Sequence, residues 1–183
     1  MVERVRLIGD PRRPIRVVED PALVEQPDLA FFLDKWRQQK GGALVPPRNS
    51  FVPREYGSWL QWLVLAEALP DCVDFRYRLI GSRVTTYFGG DSTGKTVRQV
   101  FADVFPAMGE FICWVLARTC TTAKPIRFAG PSFAYNEMFC PDYDSLCLPY
   151  SSDGQGCDLV LEMFVFSPQR LAGSRDVRRL DVE

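Results

Sequence analysis

Gly89-Gly90-Asp91-Ser92-Thr93-Gly94-Lys95-Thr96 fits the phosphate-binding loop pattern G-x-x-x-x-G-K-[ST] at every position, and its reading decides the fold. In such a loop, backbone N–H groups converge on phosphate at a helix start, the lysine reaches the outer phosphates, and Ser or Thr holds magnesium. Locally the chain complies, with Val84-Thr85-Thr86-Tyr87-Phe88 as a preceding strand and Thr96-Val97-Arg98-Gln99-Val100 as first helical turns. The wider pattern does not comply. Nucleotide folds of this kind need parallel strands joined by crossover helices, and only one long helical pattern follows Thr96. The carboxylate that would complete a magnesium site has one candidate, Glu162, inside the apolar run Leu159 to Phe166. On the alternative reading, Gly89, Gly90 and Gly94 supply positive φ in a tight connection, Asp91 to Thr93 cap a turn, and Lys95 is a solvated charge.

Before the loop, Asp74-Phe75-Arg76-Tyr77-Arg78-Leu79-Ile80 alternates strictly, placing Phe75, Tyr77 and Leu79 on one face of a strand. Trp62 to Glu67 reads as a buried strand before it, with Leu69-Pro70-Asp71 as the turn between them. After the loop, residues 104 to 122 carry an apolar stripe of Phe105, Met108, Ile112, Val115 and Leu116, and Pro125 stops this helix. Ile126 to Phe139, Tyr143 to Ser151 and Cys157 to Phe166 read as three extended segments separated by turns at Pro141-Asp142 and Asp153-Gly154. Consecutive strands joined by tight turns make an antiparallel sheet. Toward the N-terminus, Asp28 caps a helix over 28–40 whose face bears Leu29, Phe32, Leu33 and Trp36, and Gly41-Gly42 ends it. Residues 1–27 form an arm studded with prolines that adds at most an edge strand around Ile15 to Val18. Residues 28–167 form one domain, and 168–183 a polar tail.

Composition narrows the function. The 183 residues suit one domain, and 22 basic against 23 acidic residues give a net charge of −1, so neither nucleic acid nor an anionic membrane is favoured as a partner. No stretch approaches the roughly 20 apolar residues of a membrane span, and the expected location is cytoplasmic. There is no histidine, which excludes His-based catalysis and His-ligated haem on this chain. The six cysteines, at 72, 113, 120, 140, 147 and 157, contain no C-x-x-C pair, so no metal site is expected. Cys113 and Cys120 read as buried apolar residues.

Phe75-Arg76-Tyr77-Arg78-Leu79-Ile80-Gly81-Ser82 followed by Phe88 to Lys95 resembles the F-R-Y-R-L-x-G-[ST] and G-x-D-x-T-G-K phrase of a proteobacterial family of PAS-domain proteins. Leu148-Pro149-Tyr150-Ser151-Ser152-Asp153-Gly154 resembles that family's L-P-L-S-x-D-G phrase, with Tyr150 in place of leucine. Asp34 and Trp36, with Pro46 and Arg48, resemble its N-terminal helix and following loop. The resemblance covers residues 28 to 166 and implies an α+β, PAS-like fold. Its five-stranded antiparallel sheet carries short helices and one long helix across one face, and an N-terminal amphipathic helix is added. It also implies a non-enzymatic sensory, ligand-binding or adaptor role in bacterial signalling through a partner protein. The alternatives are a nucleotide-binding protein using Gly94, Lys95 and Thr96, or an interaction scaffold with a filled core.

A PAS cavity holds a small molecule between the sheet and the short helices. The expected inward set is Phe75, Tyr77, Leu79, Phe128, Leu148, Tyr150, Leu159, Leu161 and Met163. Polar contacts are expected from Arg83, Thr85, Thr86 and Tyr87, with Arg83 as the first choice for an anionic group. The cofactor is unidentified; a small organic metabolite fits better than haem or flavin. Leu29, Phe32, Leu33 and Trp36 must be buried either against a second copy, giving a homodimer, or against the chain's own sheet. Val160, Phe164 and Phe166 are expected on the sheet's outer face.

Overall fold

A computed structural model describes residues 2–6, 15–22, 24–103, 105–131, 133–135 and 138–167; the polar tail 168–183 lies outside them. Along the chain come β1 (Val2–Arg6), β2 (Ile15–Glu19), α1 (Pro27–Lys40), β3 (Leu63–Ala68), β4 (Phe75–Ile80), α2 (Ser82–Tyr87), α3 (Val97–Phe101), α4 (Pro106–Thr122), β5 (Ile126–Gly130), β6 (Phe133–Tyr135), β7 (Met138–Cys140), β8 (Tyr143–Tyr150) and β9 (Leu159–Phe166). Short 3-10 turns fill the stretch between α1 and β3. Seven strands form one sheet in the order β1-β2-β5-β8-β9-β3-β4, and every pairing in it is antiparallel. β6 and β7 form a separate hairpin.

The five expected strands are therefore joined by two from the arm. Arg118 of α4 fastens β2 in place, donating from Nε at 3.2 Å and Nη2 at 3.0 Å to the Glu19 carboxylate. Thus the arm belongs to the domain through its pairing with β5. The N-terminal helix begins one residue earlier than expected. Gln26, not Asp28, is its cap, accepting from the Leu29 N–H at 2.7 Å; Asp28 sits in the first turn, where its charge favours the dipole. Gly41, at φ 53°, ends the helix as expected.

The sheet is covered on both faces. Helices α2, α3 and α4 cover one, burying Phe75, Tyr77, Ile126, Phe128, Cys147, Val160, Phe164 and Phe166. α1 covers the other, burying Leu146, Leu148, Tyr150, Leu159, Leu161 and Met163 under Leu29, Phe32, Leu33 and Trp36. This corrects the expected faces. Leu148, Tyr150, Leu159, Leu161 and Met163 lie under α1, whereas Val160, Phe164 and Phe166 face the other helices. Because β9 is apolar on both faces, alternation along it cannot tell which set points where.

Leu79 was expected beside Phe75 and Tyr77, and a bulge moves it. In the β3–β4 ladder, Leu65 opposes Leu79 while its neighbour Ala66 opposes Tyr77, leaving Arg78 as the extra residue. One inserted residue reverses the side-chain alternation beyond it. Leu79 consequently packs on the α1 side, away from Tyr77.

Candidate functional site

The two phrases flanking α2 meet in space. Tyr77 of β4 receives the Gly94 N–H on its carbonyl at 2.8 Å and donates its own N–H to the Lys95 carbonyl at 3.0 Å. Arg76 Nη1 also donates to the Gly94 carbonyl, at 2.7 Å. The glycine-rich run thus pairs along the outer edge of β4, covering an edge that would otherwise be open to another strand. Gly81 is required for a different reason. A Cβ there would meet the Gln61 carbonyl at 2.4 Å, so only glycine permits the crossing of β4's end over the turn before β3.

This run does not form a phosphate cradle. The N–H of Gly90 donates to the Thr85 carbonyl, that of Thr93 to Asp91 Oδ1, that of Gly94 to Tyr77 and that of Lys95 to the Ser92 carbonyl. Donors so engaged do not converge on an anion. Thr96 closes a capping box on α3, its hydroxyl accepting from Gln99 N–H while Gln99 Oε1 accepts from Thr96 N–H. Its hydroxyl is therefore a helix cap, buried and aimed at protein.

Beneath this edge lies a cavity of about 40 Å³ between the sheet and the roof made by α2, α3 and their connection. Val64, Tyr77, Glu162 and Phe164 form its sheet wall, Val84, Phe88 and Phe101 its roof, and Ile112 of α4 its end. A water molecule needs ~10–15 Å³ measured this way, so the space suits a few waters or a very small molecule. It is well below the ~300–1,000 Å³ of typical drug-sized sites.

Glu162 dominates its electrostatics. It projects from the middle of β9, opposite Val64 on β3 and Cys147 on β8. Only 5% of it is exposed. Ser145 Oγ donates to Glu162 Oε1 at 2.6 Å. Burial pushes the carboxyl up to about 7, although the serine bond pulls it down. Burial and then the Glu162 charge push the Tyr77 hydroxyl and the Cys147 thiol above their ordinary values. Asp74 lies toward the far end of this face, accepting from the Phe75 N–H at 2.7 Å and from Cys113 Sγ at 3.4 Å. Burial first, and the Asp74 charge second, raise the Cys113 thiol to about 12.

Tyr77 alone among the residues expected at the ligand lines this cavity. Phe128 is on the correct face but packs edge-on to Phe111, at 5.4 Å between ring centres. Tyr87 is half-buried against Phe166, at 4.5 Å. Arg83 is exposed, donating from Nε to Gln61 Oε1 at 3.3 Å and lying over the Trp62 ring, so it does not reach the cavity. Thr86 is likewise exposed, its hydroxyl donating to the Ser82 carbonyl at 2.9 Å. Leu79, Leu148, Tyr150 and Leu161 lie across the sheet, where α1 fills the space. In the sequence Glu162 stands only as a candidate magnesium ligand. The signal that marks it is a single charge amid eight residues of otherwise apolar strand.

Leu29, Phe32, Leu33 and Trp36 are between 0% and 5% exposed within one chain. Within the single chain they pack on its own sheet, which is the capping arrangement. Trp36 Nε1 donates to the Pro149 carbonyl at 2.7 Å, and the Tyr150 hydroxyl to Gln39 Oε1 at 2.7 Å. Among the described residues, no His, Cys, Asp and Glu group is arranged to hold a metal ion, and no helix is long and apolar enough to cross a membrane.

A family model described as PAS domain matches residues 24–136. That span takes in α1, both arginine-bearing and glycine-rich phrases, and α4. No curated protein and no solved structure matches the chain.

Proposed function

The chain belongs to the PAS-domain family, and from that premise we propose that it is a non-enzymatic sensor whose cavity holds a small, hydrogen-bond-donating ligand of the amine class and whose signal leaves through a partner protein. PAS domains are in general sensory modules, which sets the class of function. The Glu162 carboxyl at the cavity wall carries the ligand reading. A carboxylate accepts several hydrogen bonds, and Ser145 supplies one; a donor group in the cavity would supply another. The face around it is apolar, which makes an unpaired carboxylate costly and a paired one favourable. A cationic ligand would hold Glu162 ionised at a pH where burial alone keeps it partly protonated. Gly90, at φ 138°, lies in the roof where a side chain would be strained, so the roof's connection is shaped by glycine at the cavity's edge.

Thermal unfolding of the purified chain with methylammonium or acetamidinium chloride tests this, with sodium chloride at equal ionic strength as reference. The expected result is a saturable rise in Tm for one of the organic cations, absent in Glu162→Gln. Native mass spectrometry provides the second arm. A chain that runs at its bare mass and unfolds identically in all three salts would overturn ligand binding and leave the filled scaffold.

A further inference from the structure

Cys72, Cys120 and Cys157 are far apart in sequence and meet at one end of the sheet. Cys72 sits in the turn between β3 and β4, Cys120 in the last turn of α4, and Cys157 just before β9. Cys157 Sγ donates to Cys120 Sγ at 3.1 Å, and the Cys72 thiol is also a hydrogen-bond neighbour of Cys120. A disulfide has its sulfurs at about 2.05 Å, so closing the Cys120–Cys157 pair requires movement on the order of 1 Å. Cys120 is buried, while Cys157 and Cys72 are half-buried and reachable from solvent. Cys113 and Cys147 lie deeper in the helix-covered face, and neither takes part in this thiol cluster.

We propose that Cys120 and Cys157 form a reversible disulfide site, oxidised by exchange with a low-molecular-weight disulfide, which fastens the end of α4 to the segment entering β9. The site is separate from the cavity and does not rest on the ligand reading. In the first step the Cys157 thiol loses its proton and its sulfur attacks one sulfur of the reagent, RSSR. The reagent's S–S bond breaks, a mixed disulfide forms on Cys157, and the departing thiolate takes up the proton. In the second step the Cys120 sulfur, losing its proton, attacks Cys157 Sγ; the mixed disulfide breaks and a second RSH leaves. The protein pair gives up two electrons and two protons, and RSSR becomes two RSH.

The thiols' surroundings set the manner of reaction. The hydrogen bond with Cys157 and then burial push the Cys120 thiol well above its ordinary value, and burial raises Cys72 as well. Few thiolates at these two sulfurs make both of them poor attackers of peroxides and of disulfides alike. Exchange therefore begins at the half-exposed Cys157, and the proximity of Cys120 makes the second step intramolecular, which offsets its small thiolate fraction. The bond would span 37 positions of chain, long enough to restrict the unfolded state substantially.

The test equilibrates the full chain in glutathione buffers from fully reduced to fully oxidised, quenches with acid, alkylates the remaining thiols and maps peptides by mass spectrometry. Expected are a monomer lighter by two hydrogens, a Cys120–Cys157 linked peptide, reopening by dithiothreitol, and a Tm several degrees higher in the oxidised form. Cys157→Ser, altered at a half-exposed position, should keep the reduced chain's Tm and lose the oxidation-dependent rise. Thiols at 120 and 157 that stay alkylatable in oxidised glutathione would overturn the proposal. So would a bond placed elsewhere, such as Cys72–Cys157 or a link between two chains.

Discussion

The two faces of the sheet are made from the same strands, yet they differ in kind. Under α1, the side chains of Leu146, Leu148, Leu159, Leu161 and Met163 meet Leu29, Phe32, Leu33 and Trp36, and the polar tips of Trp36 and Tyr150 are each matched by a bond. Under α2, α3 and α4, the same strands present Ser145, Cys147 and Glu162 among aromatics, and the packing leaves a cavity. The first face is closed by α1, whose stripe from Leu29 to Trp36 runs over about two turns, with Val45 and Tyr56 beside it. The second is closed by α4 together with the short α2 and α3 and a glycine-rich connection, and it is under the short pieces that a hollow remains. Both faces bury apolar side chains, but the first is filled and the second keeps a buried charge at the cost of some stability.

The largest effect should come from breaking the filled face. Phe32 is 1% exposed and lies between Tyr56, at 5.3 Å, and Trp59, at 5.8 Å between ring centres. Phe32→Ala leaves a cavity that surrounding aromatics cannot close, and the expected loss of unfolding free energy is about 3–5 kcal/mol by urea denaturation. A loss under about 1 kcal/mol would show that α1 is a detachable cover, and the contrast between the faces would fail.

The second effect, of order 3 kcal/mol, belongs to Glu162 and has a sign that separates the faces. Its folded value, about 7, lies above the ordinary carboxyl value of 4.5. Between those limits the folded state holds more protons than the unfolded one, so stability falls as pH rises from about 4.5 to about 7 and is level above. Glu162→Gln keeps a partner for Ser145 and removes the charge. Its stability should exceed that of the parent chain at pH 8 and should lack this part of the pH dependence. Parallel pH profiles for the two proteins would show that Glu162 does not titrate in the folded chain as its burial requires.

How much of this was legible in the sequence follows the same division. The succession of β3, β4, the long helix α4, β8 and β9, the closing Gly41 and the limits of β4 and α4 came from periodicity and turn residues, which act locally. By contrast, the one extended segment expected over 126–139 is broken into β5 and the β6–β7 hairpin, and the arm adds two strands. The motif pieces were legible too, and the structure explains why they travel together. The F-R-Y-R phrase bonds to Gly94 and Lys95, and the segment after Leu148-Pro149 bonds through Ser151 to Pro46 and Arg48. Face assignment was not legible, because β8 and β9 are buried on both sides and β4 carries a bulge that alternation does not announce. The cavity escaped for a related reason. Arg83 and Thr86 are polar residues on a short helix whose outward face is set by tertiary packing, whereas Glu162 is conspicuous only once its strand is known to be central.

The smallest effect should come from the residue that first drew attention. Lys95 is exposed, and its backbone already bonds to Ser92 on one side and Tyr77 on the other. These bonds hold the run along β4 and do not involve the ammonium group. Removing the side chain therefore takes nothing from the cavity face, and Lys95→Ala should change stability by no more than about 0.5 kcal/mol. Titration with ATP and magnesium, followed by calorimetry, should give no binding heat for either protein, because the N–H groups of Gly90, Thr93, Gly94, Lys95 and Thr96 are engaged by protein acceptors. Saturable heat that disappears with Lys95→Ala would require those bonds to break on binding. It would then move the functional centre of this face from Glu162 beneath the roof to the glycine-rich run at its edge.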